Sequence, residues 1–434
     1  MNILNFSSVE QIQKVIKMNY DVVVVGAGPV GSTAARHAAL NGARVLLIEE
    51  HSSIGSPVGC TGLLSTRALA ECEIQPSDEF VFNSVRGAFI HAPDGQCMPI
   101  DGKQTKAYVI SRKNFDRNLA IMAVNEGVEL SLRTRAIGLE NKDNTSGKGK
   151  KNQFYPVKLQ VLKNGRSETV STSVVIGADG VKSRIASYAG MDKPVRVLSG
   201  IQIEAPYASI DSNFVELFPG STAPGFFTWV VPVNEKISRI GLAIEPELAR
   251  IDNKKECSPL FYLEKFLSTN PNVRTRYSGG MLDFVIGGIP IGPPGKTVAD
   301  GVLLAGDAAG QAKPTSAGGV YTGAFSAKIA GKVAAEAALE GDNSVQKLSE
   351  YDLLWRKGLG KELEIGMKIH DYMGKLEDRQ INNLIGSLNT PSILKMVTEY
   401  GDMDHPSILM KKLMFSGNSL KLMKAFGSFL KTLF

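Results

Sequence analysis

Tyr20-Asp-Val-Val-Val-Val25-Gly26-Ala-Gly28-Pro-Val-Gly31 is the stretch on which the fold turns. Four consecutive valines are costly to leave in water and are stiff at χ1, so the run predicts a strand buried on both faces. Three glycines close it in the spacing Gly-x-Gly-x-x-Gly. At such a junction the first, Gly26, permits a tight turn, and the second, Gly28, lets backbone meet a pyrophosphate. The third, Gly31, lets the next helix pack close, with Pro29 and Val30 inside the loop. Residues 32–41 have helical composition, and Arg44-Val-Leu-Leu-Ile48 is a second apolar strand closed by Glu49, which is placed to accept hydrogen bonds from a ribose diol. Together these elements predict a βαβ dinucleotide-binding unit, where a bare glycine triplet would mark only a turn.

Composition limits what can surround this unit. A chain of 434 residues, 43% hydrophobic and 21% charged, has the make-up of a globular protein long enough for about three domains. Its 49 Lys and Arg against 43 Asp and Glu leave +6, too dilute to indicate nucleic-acid binding. Cys60, Cys72, Cys97 and Cys257 form no CxxC pair, which excludes dithiol chemistry and a cysteine-ligated iron–sulfur cluster and fits a reducing, cytoplasmic setting. The histidines show no ligand spacing, so no metal is expected. Glu10, Lys14 and Lys17 interrupt the first twenty residues, and no apolar run is long enough to span a bilayer, so neither a signal peptide nor a transmembrane helix is expected.

Further along, residues 78–110 read as short strands, with Ala92-Pro-Asp-Gly95 as a turn, and a helix follows from Arg112 to Glu126. Lysine-rich residues 142–152 read as a solvated hairpin tip. Val174-Val-Ile176 is another buried strand, ending in Gly177-Ala-Asp179-Gly180, and Val302-Leu-Leu304 a further one, ending in Ala305-Gly306-Asp307. Residues 195–290 alternate strands and turns and predict an antiparallel sheet in a layer of its own, while an alanine-rich helix runs from about Gly319 to Leu339 and the remainder is helical.

The glycine motif, Arg112-x-x-Phe115-Asp116-x-x-Leu119, Asp179-Gly180 and Gly306-Asp307, in that order over about residues 20–340, resemble the flavoprotein superfamily typified by p-hydroxybenzoate hydroxylase, and within it the geranylgeranyl reductase family, digeranylgeranylglycerophospholipid reductases included. The resemblance implies bound FAD. Glu49 would bind the adenosine ribose, with Glu50 beside it among the cofactor residues. Arg112 would contact FAD phosphates or ribose, Asp307 the ribityl or pyrophosphate region, and Asp179-Gly180 would support the cleft. Gly318 and Gly319 would start a helix abutting the flavin pyrimidine, where free N–H groups favour negative charge. The implied fold is α/β, a Rossmann-like FAD-binding domain (20–77, 104–190 and 295–340) interleaved with an antiparallel-sheet substrate domain (78–103 and 191–294), plus a helical C-terminal region (341–434).

The likeness narrows at Pro224-Gly-Phe-Phe227-Thr-Trp229-Val-Val-Pro232, similar to the PxxYxWxFP pattern of prenyl reductases, with Phe227 in place of Tyr and Val231 in place of Phe. An apolar wall survives these changes and the phenol does not; the same spacing also describes an ordinary core strand. In Ser56-Pro-Val-Gly59-Cys60, the family carries a loop beside the flavin ring, so Cys60 is either a proton donor or a small buried residue. The implied activity is reduction of isoprenoid double bonds, with the electrons coming from a soluble donor such as ferredoxin or a transiently bound reduced nicotinamide. An FAD-dependent aromatic hydroxylase and a membrane-associated electron-transfer flavoprotein are the alternatives on this scaffold. From Ser407 to Phe434 there are lysines and no acidic residue, and the amphipathic spacing suits either a helix lying on the inner face of the cell membrane or one docked on the protein.

Overall fold

The four valines form the strand Val22–Val25, every residue of it buried. In the computed structural model, which describes residues 20–140, 156–251, 255–256 and 258–414, it is an inner strand of a six-stranded sheet. Parallel pairing joins it to Val45–Ile48 on one side and Val174–Gly177 on the other, with Val24 opposite Leu47 and Ile176. Glu129–Ser131 extends the first side. Val302–Leu304 extends the second, with Val298–Ala299 antiparallel at the edge.

Strand periodicity explains why the run has no polar residue. Val22 and Val24 face helices, in one core with Ala34, Ala327 and Ala334. Val23 and Val25 face the opposite way, into a core shared with Leu159 and Val161 of a three-stranded antiparallel sheet (Thr134–Glu140, Val157–Lys163, Arg166–Thr172). On the helical face, Pro29–Leu40 crosses Val320–Glu340 at Gly331. An added Cβ there would fall 2.3 Å from the Ala34 carbonyl oxygen and 2.8 Å from the Ala38 nitrogen. The alanine-rich composition of both helices is what this backbone-to-backbone approach requires.

The second layer is a seven-stranded sheet in the order Asp283–Ile291, Arg196–Pro206, Ile237–Ile244, Phe227–Pro232, Phe214–Pro219, Gly87–His91, Cys97–Asp101. It departs from the expected antiparallel sheet at one join, where Phe214–Pro219 runs parallel to Gly87–His91. Those two strands are brought together from distant parts of the chain rather than by a hairpin, so nothing forces them to oppose. The Ala92–Gly95 turn does close the last hairpin, with Gly95 N–H donating to the Ala92 carbonyl at 2.9 Å. A small sheet of Leu63–Ser65, Ala107–Ile110 and Val81–Val85 joins the layers.

Beyond residue 340 the chain is helical, through Val345–Trp355, Lys361–Met373, Asp378–Leu388, Pro391–Tyr400 and Pro406–Met414. The last of these is docked on the protein, burying Met410 and Leu413 against Ile365 and Ile393. The rest of the basic C-terminal stretch, residues 415–434, lies outside the described residues, as do residues 142–152 and Cys257. Among the described residues no helix is long and apolar enough to cross a membrane.

Gly331→Val should lower the free energy of unfolding by about 1–3 kcal/mol, the usual cost of overpacking, as measured by denaturant titration, whereas a valine at the exposed Gly295, where an added Cβ meets nothing within 4 Å, would press on no neighbour.

Candidate functional site

The turns at Gly26–Gly31, Asp179–Gly180 and Gly306–Asp307 all follow carboxyl ends of parallel strands, around the point where strand order reverses between Val22–Val25 and Val174–Gly177. Two glycines are needed for contact with protein and one faces open space. Gly26 has φ +100°, and a Cβ on it would meet the Ala178 carbonyl oxygen at 2.4 Å; one on Gly31 would lie 1.7 Å from the Gly26 oxygen. Nothing lies within 4 Å of such an atom on Gly28. Helix Pro29–Leu40 starts there with Pro29 in its first turn and without a side-chain cap, which leaves its N–H groups for a ligand. Val30 packs inward against Gly306 and Gly323, tying this turn to the Asp307 turn and the long helix.

Glu49 already holds the glycine loop: Oε2 accepts from Ala27 N–H at 3.0 Å, and Oε1 accepts from His51 N–H at 2.9 Å. Glu50 points elsewhere; it is exposed and lies 3.7 Å from Arg184, in a separate shallow hollow with His51 and Arg133. Asp179 serves the turn itself, accepting from Ser183 Oγ at 2.6 Å and from the Arg184 and Ile185 N–H groups at 2.7 and 3.1 Å. Gly180, with φ +77°, completes that turn.

The remaining predicted residues converge on one cavity of about 1000 Å³ between the two layers: Gly59, Cys60, Arg112, Phe227, Trp229, Asp307 and Gly318 all line it. At one end Arg112 is gripped by Asp116 through two bonds of 2.9 and 3.0 Å, and it also faces Cys60 and Asp307. Burial opposes the Arg112 charge, but Asp116 and Cys60 outweigh it and hold its pKa above the ordinary value. The Cys60 sulfur accepts from Gly62 N–H at 3.3 Å. Burial pushes the Asp307 carboxyl up to about 6 against the opposing pull of Arg112. Gly319 starts helix Val320–Glu340 without a side-chain cap, and a Cβ on it would crowd Asp307 Oδ1 at 2.9 Å.

Phe227 and Trp229 share one face of Phe227–Pro232, and their rings meet edge to face at 6.2 Å. Trp229, Gly241 and Gln202 form one row across three strands. Because Gly241 has no side chain, the indole lies across it and donates from Nε1 to Gln202 Oε1 at 3.0 Å. Sequence reasoning missed Gly241 and Gln202, since cross-strand neighbours are not encoded locally. It also missed a strap at residues 401–405. There Asp402 pairs with Arg67 at 2.7 Å, Asp404 with Lys313, and His405 Nε2 with the Tyr321 hydroxyl at 2.9 Å. Its one sequence signal was two carboxylates just ahead of a stretch that has none.

An FAD dependent oxidoreductase family model matches residues 21–191. The digeranylgeranylglycerophospholipid reductase of Methanothrix thermoacetophila is 34% identical over 390 residues, spanning 87% of this chain and 94% of that one. The chain belongs to the digeranylgeranylglycerophospholipid reductase family. A reductase of the same name from Methanocaldococcus jannaschii is 35% identical over 375 residues, 85% of this chain and 90% of that one. A solved geranylgeranyl bacteriochlorophyll reductase-like protein from Thermoplasma acidophilum superposes with a TM-score of 0.80 at 26% identity, covering 96% of this chain and 99% of that one. Membership makes this chain an FAD-dependent oxidoreductase, and the residues present fit the cofactor. Gly28 is open, two long helices start uncapped, and no hydrogen-bond donor reaches the Asp307 carboxylate among the described residues.

Asp307→Asn should therefore act in opposite directions on the apoprotein and on its ligand. Burial raises the folded pKa above its reference of 3.8, so wild-type apoprotein loses stability as pH rises from about 4 through 6. The variant avoids that penalty and should be more stable at pH 7–8 by on the order of 2 kcal/mol, a gain that disappears near pH 4 in denaturant titrations. If Asp307 accepts a charge-assisted hydrogen bond from the cofactor, fluorescence titration of the variant with FAD should show at least about tenfold weaker binding.

Proposed function

We propose that this chain saturates the double bonds of geranylgeranyl chains in archaeal-type membrane lipid precursors, Cys60 serving as proton donor and Phe227 and Trp229 aligning the alkene. The observation that supports it is the cavity. One continuous space of about 1000 Å³ joins the Arg112, Asp307 and Gly318 end, where the flavin would sit, to a wall of apolar side chains suited to an isoprenoid. FAD, when bound, supplies the hydride. An isolated trisubstituted alkene has no neighbouring carbonyl to accept charge, so a proton has to be delivered to one carbon as the other is reduced.

The chain's own residues are suited to that requirement. Val85, Val215, Leu217 and Val231 exclude water along the alkyl path, and the Trp229–Gln202 bond fixes the indole plane so that the alkene can be held in one orientation. Position 227 carries no phenol, Cys60 lines the cavity facing Arg112, and the charge left on its sulfur after proton release would face the Arg112 guanidinium. Glu49, Gly26, Gly28, Gly31 and the start of Pro29–Leu40 bind the adenosine and pyrophosphate portion, and Arg112, Asp307, Gly318 and Gly319 the flavin portion. Electrons arrive from a separate soluble donor, ferredoxin or a reduced nicotinamide. Because Pro406–Met414 is committed to the protein's own core, contact with the inner face of the membrane falls to the basic stretch after Met414.

Three measurements test this reading. Mass spectrometry of lipids from a host making geranylgeranyl phospholipids should show successive gains of about two daltons, one H2 per double bond, when this chain is co-expressed. Unshifted lipids, with oxygen-dependent hydroxylation of a small aromatic by the purified protein, would reject it. Cys60→Ala should retain flavin and lower kcat by about 10²–10⁴-fold, the range for a general acid; unchanged turnover would remove Cys60 from that role. A chain ending at Met414 should lose the fraction that floats with anionic liposomes, and an undiminished fraction would place membrane contact elsewhere.

A further inference from the structure

The cavity wall contains cations that the flavin end does not use, and they differ in how they are neutralised. Arg67 is paired with Asp402 and Lys313 with Asp404. Lys106 is different: it lines the cavity, and its ammonium has no ion pair or hydrogen bond among the described residues. Arg86, which also lines the cavity, has Asp101 and Asp211 at 3.7 and 3.8 Å, beyond hydrogen-bond reach, and its guanidinium over the Phe214 ring at 5.1 Å.

The backbone places these two residues side by side. Lys106 N–H donates to the Val85 carbonyl at 2.8 Å, and Gly102 N–H to the Arg86 carbonyl at 2.9 Å. Gly102 also makes room for the lysine: a Cβ there would meet Lys106 Cε at 2.5 Å and Cγ at 2.8 Å. Gln104 and Thr105 line the cavity next to them, with Gln104 exposed, so the wall turns polar and reaches solvent here.

This polar end is far from the flavin end. Asp283–Ile291 contacts the Asp307 turn and forms one edge of the seven-stranded sheet, whereas Gly87–His91, next to Arg86, lies five strand intervals away. At roughly 4.8 Å per interval the two are separated by roughly 24 Å, comparable with an extended twenty-carbon isoprenoid. A substrate with its alkenes at the flavin end would bring its polar terminus to Lys106.

We infer that Lys106 and Arg86, with Gln104 and Thr105, form a phosphate-binding subsite at the outer end of the cavity that selects isoprenoids carrying a phosphate over neutral ones. The inference rests on the isoprenoid reading above. A phosphoryl group offers several acceptor oxygens and a full negative charge to two adjacent cations, one of them without another partner. The phosphate has two sources, the headgroup of a glycerol-linked lipid and a prenyl diphosphate.

Binding of saturated ligands tests this without turnover. Titrations in detergent micelles would compare phytanyl diphosphate, diphytanylglyceryl phosphate and the neutral alcohol phytanol on wild type, Lys106→Met and Lys106→Arg. Lys106→Met should bind one or both phosphate-bearing ligands at least about tenfold more weakly, Lys106→Arg should restore most of the loss, and phytanol affinity should stay within about twofold. Loss confined to the diphosphate, or to the glyceryl phosphate, identifies the source. Unchanged phosphate-ligand affinity, or equal weakening of all three ligands, would overturn the subsite. The readout is separate from the reaction: lipids that stay unsaturated reject the isoprenoid reductase, while a charge-dependent loss of binding keeps the phosphate site.

Discussion

Direct backbone contact at a few positions sets the geometry on which the rest depends. At Gly31 a single added carbon would fall 1.7 Å from the Gly26 oxygen, and at Gly331 one would fall 2.3 Å from the Ala34 oxygen. Helix Pro29–Leu40 is therefore held against the dinucleotide turn at one end and against Val320–Glu340 along its side. The second helix is the one whose uncapped start lies beside Asp307. Close packing at these glycines fixes the separation between the Gly26–Gly31 turn and the Asp307 turn, and interiors of this density relax little when such a contact changes.

How much of this was readable from the sequence depended on whether the signal was local. The valine run, the glycine spacing and the strand-end motifs at Asp179 and Asp307 each report neighbours a few residues apart, and they located the parallel sheet and its switch point. Local motifs were less informative about what each side chain does. Asp179 is occupied with the N–H groups of residues 184 and 185, and Glu49 with those of residues 27 and 51, while Glu50 points away from the cavity. The row Trp229–Gly241–Gln202 was invisible because strand register decides it. The strap at residues 401–405 was invisible too: its partners Arg67, Lys313 and Tyr321 are separated from it by more than 80 residues.

The distribution of charge inside the cavity follows a rule that neither sequence nor fold class supplies. Where an alkene has to lie, an unpaired charge would keep water in place and weaken the apolar drive for binding. Three cations of the cavity wall are each held by a carboxylate: Arg112 by Asp116, Lys313 by Asp404 and Arg67 by Asp402. These pairs let positive side chains serve as structural ties without leaving a net field along the apolar path. Among the described residues, the cavity carboxylate with no hydrogen-bond donor, Asp307, stands at the Arg112 end, and the cavity ammonium without an ion pair, Lys106, stands away from it. The cavity is thus polar where a ligand is polar, at its two ends, and neutral in between. A long amphiphile would be held in one direction by that arrangement, because reversing it would bring its alkyl end to Lys106 and its polar end to Asp307, a charge of the wrong sign.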